Sequence, residues 1–132
     1  MMKHYRRNNR GFSLIEMLVG ILIISFGLLG LITLQARALQ VSVSSEDSQR
    51  AALLASEMAA LMVNTNTVNL DPALVTTWAQ KVADPTNGGV PNGTGTVTVT
   101  NSTARITITW VPVQSTGAAN DTHSYITDVT IP

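Results

Sequence analysis

The chain lacks cysteine altogether, although it is 132 residues long. This absence excludes disulfides, thiolate metal sites and cysteine nucleophiles, and it leaves the redox compartment undetermined by cysteine usage. A chain of this length has room for one modest domain. Its first third is too apolar to belong to an ordinary soluble core, so much of its burial must come from a membrane or from partner molecules.

Basic charge is scarce outside the N-terminus. The formal net charge is zero, but half of the basic residues lie within the first ten positions: Lys3, Arg6, Arg7 and Arg10. From Phe12 onward four basic residues face eight acidic ones, which gives a net charge of −4. This balance is not that of a nucleic-acid-binding protein, so we expect no nucleic-acid partner.

A long apolar segment runs from Phe12 to Leu34, and Glu16 is its only charged residue. At about 1.5 Å per residue such a helix reaches roughly 34 Å, which is enough to cross the hydrocarbon core of a bilayer. Because the basic residues precede it, we expect a cytoplasmic N-terminus and an exported remainder. The run is longer than the apolar region of a secretory signal, so we expect no cleavage after it.

Glu16 raises a physical question, because a carboxylate in the middle of a membrane costs about 2.5–3.5 kcal/mol. One interpretation is that the side chain reaches up to the lipid headgroups near the start of the helix. The other requires a cut between Gly11 and Phe12. The new α-amine of Phe12 would then be a cation within reach of Glu16 on the same or a neighbouring chain, and the two charges would offset each other.

The segment "RGFSLIEMLVGILIISFGLLGL" resembles the N-terminus of type IV pilins and the related pseudopilins. The likeness lies in a short basic leader that ends in glycine, followed by Phe, Ser, Leu, Ile, Glu and a long apolar run. It implies that a prepilin peptidase cuts after Gly11 and methylates the new N-terminal Phe12. It also implies that the Glu16 carboxylate pairs with the N-terminal amine of a neighbouring subunit and sets its axial register in a filament.

Within that family, "SFGLLGLITLQARALQ" and "RAALLASEMAALM" are most similar to minor pilins of the PilV type, the pilus modification proteins. The resemblance implies a cleaved leader at 1–11, a transmembrane and filament-core helix at 12–34, and a periplasmic head at 35–132. It implies an inner-membrane protein that later enters a type IV pilus, with the adhesion and twitching motility that such pili serve. Its partners would be other pilins and minor pilins, the prepilin peptidase and the inner-membrane assembly machinery.

Two alternatives to the minor pilin remain open at the level of the sequence. Type II secretion pseudopilins share the first part of the pattern. The chain could also be a membrane-anchored periplasmic accessory domain that is never processed. An enzyme is the least favoured class.

The remainder of the chain predicts an α+β fold of the pilin kind, a long N-terminal helix packed on a small antiparallel sheet. The helix is expected from near Phe12 to near Asn64, with an apolar stripe at Ala51, Leu54, Ala55, Met58, Leu61 and Met62. Poor helix formers at Val41–Ser48 suggest a bend or frayed turn. Asp71 and Pro72 start a short second helix, whose shared face would be Leu74, Val75, Trp78 and Val82.

Three alternating runs near the C-terminus, "GTVTVT", "ARITITW" and "HSYITDVTIP", predict antiparallel strands. Their inward residues would be Val97, Val99, Ile106, Ile108, Trp110, Val129 and Ile131. Chemistry is not expected. His4 lies in the leader and His123 beside a loop, so they would not form one site, and no motif gives a serine a positioned base. We therefore expect no metal, no cofactor and no catalytic residue.

Overall fold

The computed structural model describes residue 11, residues 13–113, residue 115 and residues 121–132. The elements follow the order α1 (Leu14–Thr65), α2 (Pro72–Val82), a 3-10 helix (Pro85–Asn87), β1 (Thr94–Thr100), β2 (Thr103–Trp110) and β3 (His123–Thr130). The predicted α+β class, a long N-terminal helix packed on a small antiparallel sheet, is confirmed. The chain forms two compact units, one that ends at Leu39 and one from Gln40 to Pro132.

Helix α1 agrees with the predicted range and remains helical through Val41–Ser48, so the frayed turn expected there is absent. Local bonds support this weak stretch. The Ser48 hydroxyl donates to the Ser44 carbonyl at 3.0 Å, and Arg50 forms an ion pair with Glu46 one turn earlier at 2.6 Å. Burial along α1 is confined to its second half, at Asp47, Ala51, Leu54, Ala55, Met58 and Met62.

Helix α2 begins as predicted, because the Asp71 carboxylate accepts a hydrogen bond from the Ala73 amide at 2.9 Å and caps the helix. Trp78 and Val82 are buried, but Leu74 is 46% exposed, so the predicted shared face was wrong for Leu74. The indole Nε1 of Trp78 donates to the Leu54 carbonyl at 2.9 Å and thereby joins α2 to α1.

The sheet is antiparallel with the strand order β1-β2-β3. A tight turn at Asn101 and Ser102 joins β1 to β2, and Asn101 adopts the left-handed conformation with φ 56°. Side chains alternate between the two faces of the sheet along each strand, and Ile106, Ile108, Trp110 and Val129 are buried in the core, as predicted. Val99 was also expected to point inward, yet it is 36% exposed at the end of the edge strand β1.

Candidate processing and assembly site

Ser13 caps the first turn of α1. The backbone amide of Glu16 donates to the Ser13 carbonyl at 3.0 Å and to the Ser13 hydroxyl at 3.3 Å. A serine followed three residues later by glutamate is the spacing of the capping box. Sequence reasoning missed Ser13, although this spacing was visible in the sequence.

Glu16 itself lies in the first turn of α1 and is exposed. Within the described part of the chain its carboxylate forms no ion pair. A negative charge at this position interacts favourably with the partial positive charge of the helix N-terminus. The local structure therefore gives Glu16 a helix-stabilising role in addition to the two roles that the sequence suggested.

Gly11 lies just before this capped turn. It is exposed, and a Cβ placed on it would meet no atom within 4 Å. Phe12 and the basic residues of the leader lie outside the described residues. The structure thus places Gly11 and Glu16 around the start of α1, while cleavage and charge pairing stay predictions.

The first half of α1 presents apolar side chains on all sides. Among the described residues, α1 is the one helix long and apolar enough to cross a membrane, with a mean hydropathy of 2.6 over its most apolar window, none of which is buried. The side chains that remain exposed there are Leu14, Ile15, Met17, Leu18, Val19, Ile21, Leu22, Ile23, Ile24, Phe26, Leu28, Leu29, Leu31, Ile32 and Leu34. A helix that is apolar all round is typical of a membrane span.

Two hydroxyl groups within the apolar half of α1 are satisfied by the helix itself. The Ser25 hydroxyl donates to the Ile21 carbonyl at 2.8 Å, and the Thr33 hydroxyl donates to the Leu29 carbonyl at 3.0 Å. In lipid no water is at hand to replace such bonds, so internal satisfaction is what a spanning helix requires. Glu16 is the exception, since its carboxylate needs headgroups or a partner.

Two carboxylates of the head have pKa values that local contacts lower. The Arg105 guanidinium binds both carboxylate oxygens of Asp128, at 2.8 and 2.9 Å, and lowers the pKa of Asp128. Hydrogen bonds from the Thr86 hydroxyl and amide lower the pKa of Asp84. Across the described ranges no three histidine or acidic side chains group together in a way that could hold a metal ion.

Comparison with models of known protein families identifies the start of the chain. Residues 6–32 match the model of the prokaryotic N-terminal methylation motif. No curated protein and no solved structure is significantly similar to the chain.

The matched range contains Gly11, Phe12 and Glu16 together with most of the apolar half of α1. A prepilin motif of this kind implies processing by a prepilin peptidase and assembly with pilin machinery, and the apolar helix fits an anchor in the inner membrane. The motif supports a type IV pilin-like or pseudopilin protein, and the long helix packed on a small antiparallel sheet agrees with a pilin-like fold.

Proposed function

We propose that this chain is a minor pilin of the PilV type, made as a precursor and incorporated into a type IV pilus or its priming complex. The observation that carries the proposal is the methylation motif at residues 6–32, placed directly on the capped start of an exposed apolar helix. The leader comprises 1–11, the membrane and filament-core helix 12–34, and the exported head 35–132. The N-terminus is cytoplasmic, because the basic residues precede the span.

Glu16 acts in assembly under this proposal. Peptidase cleavage after Gly11 creates a cation at Phe12, and the carboxylate of Glu16 on an adjacent subunit offsets that charge when lipid is exchanged for the filament core. Each charge alone is costly in apolar surroundings, whereas the pair is tolerated. The support from the structure is that the Glu16 carboxylate is exposed and has no ionic partner among the described residues.

The experiment that tests processing is intact-mass analysis of the membrane-bound protein from cells with an active prepilin peptidase. We expect a mature chain that begins at a methylated Phe12. The variant Gly11→Leu should accumulate as the precursor, because the new side chain occupies the cleavage site. Gly20→Leu is the matched control, since neither glycine has an atom within 4 Å of its Cβ position, and it should be processed normally.

A mature protein that retains residues 1–11 would overturn the minor-pilin proposal and leave the unprocessed anchored domain. If the chain is processed, mass spectrometry of sheared surface filaments distinguishes a pilus subunit from a secretion pseudopilin. We expect the chain in filaments from cells that have only the pilus machinery. Its presence only in cells that have the secretion machinery would show that it is a pseudopilin.

A further inference from the structure

The sheet ends on each side in a strand that is paired along one edge only. β2 lies between β1 and β3, so within the described ranges the outer edges of β1 and β3 have no strand beside them. Native proteins commonly protect such edges with lysine, proline or a bulge. β1 has none of these, because it contains no charged residue and no proline and pairs with β2 continuously over its seven residues. Its edge is therefore open to a further strand.

The hydrogen bonds of β2 show which backbone groups of the edge strands point outward. The Ile131 amide donates to the Ser102 carbonyl at 3.0 Å and extends the ladder between β2 and β3. In an antiparallel ladder alternate residues direct their N–H and C=O groups to the partner strand. Counted back along both registers, the outward-pointing residues are Gly95, Val97 and Val99 on β1 and Ser124, Ile126, Asp128 and Thr130 on β3. Within the described part of the chain none of these groups meets a backbone donor or acceptor.

An apolar groove of about 340 Å³ adjoins β1. The chain between α1 and α2, α2 itself and β1 all contribute to it, and its apolar lining residues are Val68, Leu70, Pro72, Val75, Val97 and Val99. Val99 has the parity of a core residue and is nevertheless 36% exposed. Free main-chain groups beside a groove that can take alternate side chains are the two features of a strand-addition site.

We propose that β1 accepts β3 of a second copy of this chain as a fourth strand, so that copies join head to tail through their sheets. Such a contact is heterologous, because it uses a different surface on each copy and leaves one edge of each copy free for the next. It does not require that the chain enters a pilus. The contact can therefore fail while the minor-pilin proposal stands, and the reverse also holds.

The backbone pattern selects a parallel arrangement of the two strands. The outward-pointing residues of β1 carry their side chains on the inner face of the sheet, the face of Ile106 and Ile108, whereas those of β3 carry theirs on the outer face. In a parallel pair, a residue that bonds to the neighbouring strand lies opposite one that does not. Parallel pairing therefore makes the inner faces of the two sheets continuous, whereas antiparallel pairing of β1 with β3 would invert one sheet.

One register also matches the side chains. With Val97 opposite Thr127, the whole of β1 lies along residues 124–130 of the second copy. Tyr125, which is partly buried against its own core, then lies opposite Gly95. A large aromatic side chain beside a glycine on an edge strand is a known way to stabilise strand pairing.

Charge and orientation both favour this pairing. β1 is uncharged, and Asp128, the one acidic residue of β3, is already held by Arg105 at 2.8 and 2.9 Å. The two-fold alternatives, β1 with β1 or β3 with β3, are antiparallel and reverse one copy relative to the other. Chains anchored by α1 in one membrane share an orientation, and β1 and β3 run in the same direction within each sheet.

The absence of cysteine makes disulfide cross-linking a direct test. Thr96 and Ile126 are exposed on the outer face, and the proposed register places Thr96 of one copy opposite Ile126 of the next. The full chain with Thr96→Cys is co-expressed with a differently tagged full chain that carries Ile126→Cys, in cells that make no other pilin, and the membranes are oxidised. We expect a disulfide-linked dimer that contains both tags.

Thr107→Cys replaces Thr96→Cys in the matched control. Thr107 lies in the same row of the sheet, between Thr96 and Ile126, but on the central strand, which a second copy does not reach. It should give no mixed dimer with Ile126→Cys. Adding Val99→Pro to the Thr96→Cys chain should abolish the mixed dimer, because proline removes an outward-pointing amide and leaves the bonds between β1 and β2 in place.

Three results would overturn the proposal. The first is the absence of a mixed dimer, or a mixed dimer that forms equally with Thr107→Cys or in the presence of Val99→Pro. The second is a dimer within one tagged variant but not between the two, which would show two-fold pairing instead. The third is a cross-link from Thr96→Cys to a different protein, which would show that β1 takes its added strand from elsewhere.

Discussion

Glu16 can act through three physical effects, and each makes a different demand on its surroundings. A snorkelling carboxylate needs only headgroups. A helix-end carboxylate needs only the N-terminal amides of α1, which Ser13 also caps. A charge-pairing carboxylate needs an amine that is created by cleavage and met in a neighbouring subunit, so only this third effect links Glu16 to assembly.

Glu16→Leu should therefore insert into the membrane and be cleaved, yet be depleted from filaments. Insertion becomes easier when the charge is removed, so any loss must arise at assembly, where the Phe12 amine lacks its counter-charge. Glu16→Gln should fail similarly, because an amide accepts a hydrogen bond but does not neutralise an amine. The measurement is the ratio of each variant in sheared pili to that in membranes.

Ser13→Ala provides the control for this prediction at the residue scale. It removes the capping hydroxyl, which is worth about 0.5–2 kcal/mol to a helix, and leaves the carboxylate in place. We expect it to enter pili nearly as the wild type does. If Ser13→Ala and Glu16→Gln were depleted equally, helix capping would explain Glu16; if neither were depleted, snorkelling would.

Helix α2 packs closely against β1 at Gly95. A Cβ on Gly95 would lie 2.7 Å from one ring carbon of Trp78 and 3.1 Å from a methyl group of Val82. Trp78 has little freedom to move away, because it is buried and its Nε1 is bonded to α1. The packing of α2 on the sheet thus depends on the missing side chain at Gly95.

Gly95→Ala should lower the free energy of unfolding by about 1–3 kcal/mol through overpacking. Thr96→Ala is the matched control on the same strand. Its side chain is exposed, so its cost should stay near 0.5 kcal/mol. Thermal unfolding followed by circular dichroism checks both, and equal midpoints would show that Trp78 shifts without cost.

The sequence predicted the elements well where the signal is local. Asp71 with Pro72 marked the start of α2, and the alternation of β-branched residues marked the three strands. It did less well where burial depends on distant neighbours. Val99 has the inward parity of a core residue but lies on an edge strand, and Leu74 faces solvent because the sheet contacts α2 through Trp78.

The same limit applies to the sites. Gly11, Phe12 and Glu16 could be named in advance because they form a contiguous motif, and Ser13 could have been added from its spacing to Glu16. The burial of Asp47 could not be predicted, because its local sequence suggests only a weak helical turn, whereas the structure leaves it 5% exposed.

At the scale of the whole molecule, the hydrophobic core belongs to the second compact unit. Its buried apolar residues begin at Ala51 and continue to Val129. Ion pairs within this unit also cross between elements, as Lys81 does with Glu57 at 2.7 Å. No residue of the apolar half of α1 belongs to the core cluster, so the head should not need that half to fold.

A polypeptide from Gln35 to Pro132 should therefore be soluble and unfold cooperatively, with a free energy of about 5 kcal/mol, the lower end for a domain of this size. A polypeptide that begins at Ala59 is the control, because it lacks Leu54, Ala55 and Met58, which the core cluster requires. It should aggregate or lose near-ultraviolet dichroism. Urea titration followed by two probes decides the matter, since coincident transitions indicate a two-state head. Divergent transitions for the longer polypeptide would mean that the small Thr-rich sheet relies on partner subunits to complete its core.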